Sequence, residues 1–179
     1  MSSAFKILPH YTYEDYEQWE GQWELIGGIP YAMSPQPVPK HQRISTNLCS
    51  EFRNALKSCN NNCKVYQPID YKITEHTILQ PDMLVVCGNI TKKYLDFAPA
   101  LVAELLSPST ALKDRHTKFE IYQSQGIRYF IIISCDTEVV EVFELLDGKY
   151  ELKDSGHDIA FPFKFEDCNT AIDFKEIWD

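Results

Sequence analysis

The sequence lacks any apolar run long enough to cross a bilayer. Its strongest apolar stretch, YFIII at Tyr129–Ile133, has five residues, where a spanning helix takes about 20. The opening residues, MSSAFKILPH, hold no apolar core of a secretory leader. Both absences predict a cytoplasmic protein with no membrane partner. Positive charge is also scarce: 17 Lys and Arg stand against 26 Asp and Glu, a net charge of −9. Strong non-specific nucleic-acid binding needs a basic footprint. The balance therefore excludes a uniformly basic docking surface and leaves only a local basic groove.

Internal repeats, low-complexity tracts and Gly/Ser linkers are absent, and the ten prolines fall mostly between elements. With 179 residues, 44% of them hydrophobic, the chain is expected to form a single domain over 1–179 with a substantial core. There is no C-x-x-C pair among the six cysteines, Cys49, Cys59, Cys63, Cys87, Cys135 and Cys168. Cys59 and Cys63 share a polar loop, but no two further ligands at matching spacing complete a zinc site. The six are read as reduced thiols of core and loops.

What is present reads as alternating strands and helices. Thr12 opens a short helix, TYEDYEQW, with Asp15 at the capping-box position. Two apolar-rich runs flank Gly27-Gly28, a hairpin whose second strand carries Pro30 and is expected at an edge. His41, Ile44, Leu48, Phe52 and Ala55 recur at steps of three or four, which predicts a helix from about Lys40 to Ser58. Strands are expected near Val65–Ile73 and Leu79–Val86. ALVAELL (Ala100–Leu106) and RYFIIIS read as strands buried on both sides, with a helix from about Leu112 to Ser124 between them, closed by Gly126. EVVEVFEL and KYELK form a hairpin around Asp147-Gly148, its acidic face read as solvated, and TAIDFKEIW is expected to end the chain as a helix. The pattern is an α/β (α+β) fold, a central mixed β-sheet flanked by helices.

Glu104 interrupts the apolar strand ALVAELL. Burying a lone carboxylate is costly, and a metal ion or a basic partner would resolve that cost. A strand-end glutamate reaching solvent or an arginine fits the residue equally well. Asp82, after Pro81, is by itself an ordinary turn residue at the head of a strand. Carboxylates converging from neighbouring strands would make a hard-oxygen site of the kind Mg²⁺ (or Mn²⁺) takes, with water and substrate phosphate completing the shell. Lys118 and Tyr122 share a helix face. A lysine there would stabilise developing charge or orient a nucleophile; taken alone, it is a solvated helix lysine.

The ordered set ELIGGIPYAMSP, His41, QPDMLVV, ALVAELLSPST and DRHTKFEIYQSQGIRYFIII resembles the Uma-two family of restriction endonucleases within the PD-(D/E)XK superfamily, over roughly Thr12 to Tyr150. The resemblance implies a restriction-endonuclease-like fold and divalent-metal phosphodiester chemistry. It implies Asp82 and Glu104 as metal ligands, Lys118 as the catalytic lysine, Glu24 as a further member of the site, and His41 at the start of the long helix. The chain departs from the standard (D/E)XK spacing. The lysine two residues after the acid is replaced by Leu106, and the resemblance implies that Lys118, from the following helix, takes its role. Read from their own surroundings, Glu24 is a hairpin residue paired to a surface lysine and His41 a hydrogen-bonded core residue.

Three functions fit. The first is a Mg²⁺-dependent endonuclease that hydrolyses the phosphodiester bonds of DNA with metal-activated water. The second is a non-catalytic binding or regulatory module that keeps the fold, which the acidic balance suits. The third is a hydrolase of smaller phosphoesters. Analogy with restriction-type nucleases implies a homodimer.

Overall fold

Two hydrophobic faces of one sheet organise the chain. The computed structural model describes residues 8–33, 38–59, 62–106, 113–166 and 168–179, and of 113–115 the backbone alone. The elements in order are α1 (Tyr13–Tyr16), β1 (Trp23–Ile26), β2 (Ile29–Ala32), α2 (Pro39–Leu56), β3 (Cys63–Tyr66), β4 (Tyr71–Thr74), β5 (Thr77–Leu79), β6 (Met83–Cys87) and β7 (Leu101–Leu106). There follow a π-helical segment (Lys113–Lys118), α3 (Phe119–Ser124), β8 (Tyr129–Ser134), β9 (Val139–Leu146), β10 (Lys149–Gly156), β11 (Ala160–Phe165), β12 (Cys168–Asp173) and a 3₁₀ turn (Phe174–Ile177).

The central sheet runs β10-β9-β8-β7-β6-β3. Only β7 and β8 pair in parallel, since their connection through α3 crosses over the sheet; the other pairs are antiparallel. Every residue of β7 is buried, as its continuous apolar run demands. Alternate residues divide between two cores. Met83, Val85, Leu101, Ala103 and Ile131 meet Ile44, Leu48 and Phe52 of α2 and Phe163, Ile172 and Ile177 of the C-terminal elements. Leu84, Val102, Phe130 and Ile132 meet Tyr71, Leu79, Tyr122 and Tyr150 on the other face. A second sheet, β2-β1-β5-β4, leaves β2 at its edge, as Pro30 requires. It carries α1, whose Tyr13 and Tyr16 pack on Leu25 and Ile78.

Local signals explain most elements. The Asp15 carboxylate accepts from both Thr12 N and Thr12 Oγ1 and caps α1. Gly27 and Gly28 turn β1 into β2 at φ 57° and 79°, left-handed values that glycine takes without strain.

Four expectations are corrected. Val65–Ile73 is two strands, β3 and β4, because Gln67-Pro68 ends the first. Leu79–Val86 is likewise split at Gln80-Pro81 into β5 and β6, since proline cannot donate to a ladder. TAIDFKEIW is mostly β12 and a single 3₁₀ turn. The Phe163/Phe165 and Ile172/Phe174 alternation pairs β11 with β12 as a hairpin. Four cysteines are disulfide-bonded, Cys59 to Cys168 and Cys63 to Cys87, with Cα separations of 5.3 and 4.0 Å, leaving Cys49 and Cys135 as thiols. The start of the predicted Leu112–Ser124 helix and the preceding SPST lie outside the described residues. None of the described helices is long and apolar enough to cross a membrane.

Candidate active site

Glu104 sits in the middle strand of the sheet, between β6 and β8, and is 2% exposed. Among the described residues two other charged side chains are as deeply buried, Glu24 and Lys118, and the three meet. Lys118 Nζ lies 2.8 Å from Glu24 Oε1 and 2.9 Å from Glu104 Oε1. Tyr122 Oη donates to the same Glu104 oxygen at 2.6 Å. Lys118 closes the π-helical segment and Tyr122 follows four residues later in α3. The crossover that makes β7 and β8 parallel thus lays both side chains over the strand. Glu24 arrives from β1 of the second sheet, and its Oε1 also accepts from Gln80 N at 3.1 Å.

Asp82 precedes β6 by one residue. Continuing the Met83↔Ala103 register sets it opposite Glu104. Its Oδ2 accepts from Leu105 N at 2.8 Å, and its Oδ1 lies 3.6 Å from His41 Nε2 near the start of α2. Both side chains are part-exposed, 17% for Asp82 and 15% for His41. The Cys49 and Cys135 thiols feel the Asp82 charge, and burial chiefly pushes both up to about 11.

The structure therefore gathers Glu24, Glu104 and Lys118 into direct contact, with Asp82 beside Glu104 and His41 beside Asp82. Sequence reasoning missed two members of this neighbourhood. Gln80 holds Glu24 through its backbone N–H. Glu141, read as part of a solvated hairpin face, stands in register with Glu104 across Ile132 and is half-buried. The alternation of Val140 and Val142 into the α2-side core signals that Glu141 points to the Glu104 face.

Among the described residues, Asp82, Glu104 and Glu24 bring three carboxylates against the Lys118 ammonium. Asp82 and Glu104 are hard-oxygen donors on adjacent strands, and Asp82 reaches the solvent side. This charge excess and donor chemistry fit Mg²⁺ or Mn²⁺ held by two carboxylates, with water or phosphate supplying the rest. Among the described residues no group of three or more His, Cys, Asp or Glu gathers as a metal cage, so an ion here would depend on such outside ligands.

Comparison with known proteins bears on this arrangement. The Uma2 family model, described as "Putative restriction endonuclease", matches residues 13–162, a stretch that contains all five candidate residues. A relative from Synechocystis sp., itself an uncharacterized protein, is 30% identical over 150 residues, covering 78% of this chain and 77% of the relative. A solved structure of a putative nuclease belonging to DUF820 from Anabaena variabilis superposes with a TM-score of 0.73 at 18% identity, over 93% of this chain and 97% of that one. At that identity the likeness speaks for the fold.

Proposed function

The chain belongs to the Uma2 family of putative restriction endonucleases, and on that premise we propose that it is a Mg²⁺- or Mn²⁺-dependent endonuclease that hydrolyses DNA phosphodiester bonds at Asp82, Glu104 and Lys118. The observation that carries the reading is the position of Lys118. It comes from the crossover helix, yet its ammonium lies beside Glu104, where the lysine of a (D/E)XK strand would act.

Asp82 and Glu104 would hold the metal, which when bound would polarise the phosphodiester and lower the pKa of an attacking water. The protein supplies the rest. Lys118 presents positive charge where negative charge develops on the phosphoryl group. Glu24 and Tyr122 fix that ammonium and the Glu104 carboxylate from two sides, and the Leu105 amide fixes Asp82. The low-dielectric setting strengthens each of these interactions.

The test is cleavage of plasmid and linear DNA by purified protein in Mg²⁺ and in Mn²⁺, beside Asp82→Asn and Lys118→Met. Cutting that needs the metal and both residues supports the proposal. Intact DNA in both ions overturns it. Turnover of small model diesters alone would instead support the smaller-phosphoester reading. A second reading has its own support: Lys118 is already engaged by two carboxylates, as in an ion cluster that stabilises a non-catalytic module.

A further inference from the structure

A cavity of about 290 Å³ opens next to the cluster, between α1, β1 and the segments that bracket β4 and β5. Its walls are aromatic: Tyr13, Tyr16, Trp19 and Trp23 line it, with Trp19 ring centroids 5.6 Å from Trp23 and 5.7 Å from Tyr16. Its polar lining is Glu17, Asp70, Gln80 and Lys93. Asp70 Oδ1 accepts from Tyr16 Oη at 2.8 Å and from Gln80 Nε2 at 2.7 Å. Both bonds fall on one oxygen, so the carboxylate keeps Oδ2 as an acceptor. The pocket is coupled to the cluster through one residue: Gln80 lines the cavity with its side chain and holds Glu24 with its backbone N–H. Asp82 follows two residues later.

A planar, stacking ligand with hydrogen-bond donors on one edge fits this chemistry. The charges nearby are paired: Lys93 with Glu17, both in the lining, and Lys72, whose Nζ stands 4.3 Å over the Tyr13 ring, with Glu75. A guest is therefore held by stacking and hydrogen bonding rather than by a free charge. We propose that the pocket holds one unstacked nucleobase of a nucleic-acid strand, with guanine preferred. Aromatic walls take the faces of the base, as in single-strand recognition. The guanine N1–H and N2–H₂ donors lie side by side and can converge on the one remaining acceptor, Asp70 Oδ2. Thymine turns two carbonyl oxygens toward the same acceptors and is disfavoured. The proposal rests on the nuclease reading and deepens it, because Gln80 ties the pocket to Glu24 of the cluster.

The experiment is a tryptophan-fluorescence titration of the full-length protein with each deoxynucleoside monophosphate in EDTA, where no cleavage occurs. Trp19 and Trp23 report on the pocket, and Trp178 lies outside it, stacked on His157. Deoxyguanosine monophosphate is expected to quench saturably. Thymidine monophosphate should bind roughly tenfold more weakly, and Asp70→Asn should weaken the guanine nucleotide by roughly tenfold. Trp19→Phe, at a half-exposed position, should cut the quench while leaving the melting curve intact, so a misfolded Asp70→Asn does not end the test. The absence of saturable quenching, quenching equal for all four nucleotides, or quenching by choline alone overturns the proposal. Metal-dependent DNA cleavage without nucleotide quenching sinks the pocket and spares the nuclease reading. Guanine-selective quenching in a protein that never cleaves does the reverse.

Discussion

Lys118 Nζ lies 2.9 Å from Glu104 Oε1, although 14 residues separate them and Leu106 occupies the strand position where a (D/E)XK lysine stands. The crossover through the π-helical segment and α3 brings to Glu104 an ammonium that the strand itself does not carry. Lys118→Met should leave two buried carboxylates without their ammonium. The expected loss is about 3–5 kcal/mol of stability, read as a shift in the urea midpoint, together with loss of any metal-dependent cleavage. A midpoint within experimental error of wild type would mean that the triad is not formed.

Tyr122→Phe removes one hydroxyl from the Glu104 oxygen and keeps the ring in the core. The expected cost is about 1–3 kcal/mol, because the hydrogen bond is made to a buried charge. Chemical denaturation checks this, and an unchanged midpoint would show that the 2.6 Å contact contributes nothing.

Much of this arrangement was legible in the sequence. The apolar run around Glu104 forces burial, and a buried carboxylate calls for a cation. The i, i+4 spacing of Lys118 and Tyr122 puts both on one face. The Gly27-Gly28 and Asp147-Gly148 turns announce their hairpins. Other features depend on tertiary pairing that no local pattern carries. The β11–β12 hairpin arises because Phe163 and Ile172 find the α2-side core. Glu141 looked solvated because alternation marks two faces without saying that a second layer covers both. Glu24 meets Lys118 only because the two sheets pack together. The disulfides join residues 109 and 24 apart, and the cysteine spacing held no sign of them.

His41 Nε2 lies 3.6 Å from Asp82 Oδ1, and on the proposed reading it would orient Asp82 rather than bind the metal. His41→Gln should weaken Mn²⁺ binding about tenfold, well short of the loss expected for Asp82→Asn. Equal effects of the two substitutions would make His41 a ligand instead.

Thiol counting tests the cysteine pairing. Denatured without reductant, the protein should release two thiols to Ellman's reagent, and six after reduction. In the native state Cys49 and Cys135 should react slowly at pH 8, since burial holds both near 11. Their raised values favour the folded state below the ordinary thiol range, and this contribution is lost as pH climbs from that range toward 11. Six thiols without reductant would contradict the pairing.

The central claim is a divalent-metal site at Asp82 and Glu104, and calorimetric titration of Mn²⁺ into wild type and Asp82→Asn/Glu104→Gln tests it most directly. The account predicts saturable binding near one ion per chain in wild type and none in the double variant, with both proteins folded by circular dichroism. Identical titrations for the two proteins would contradict it.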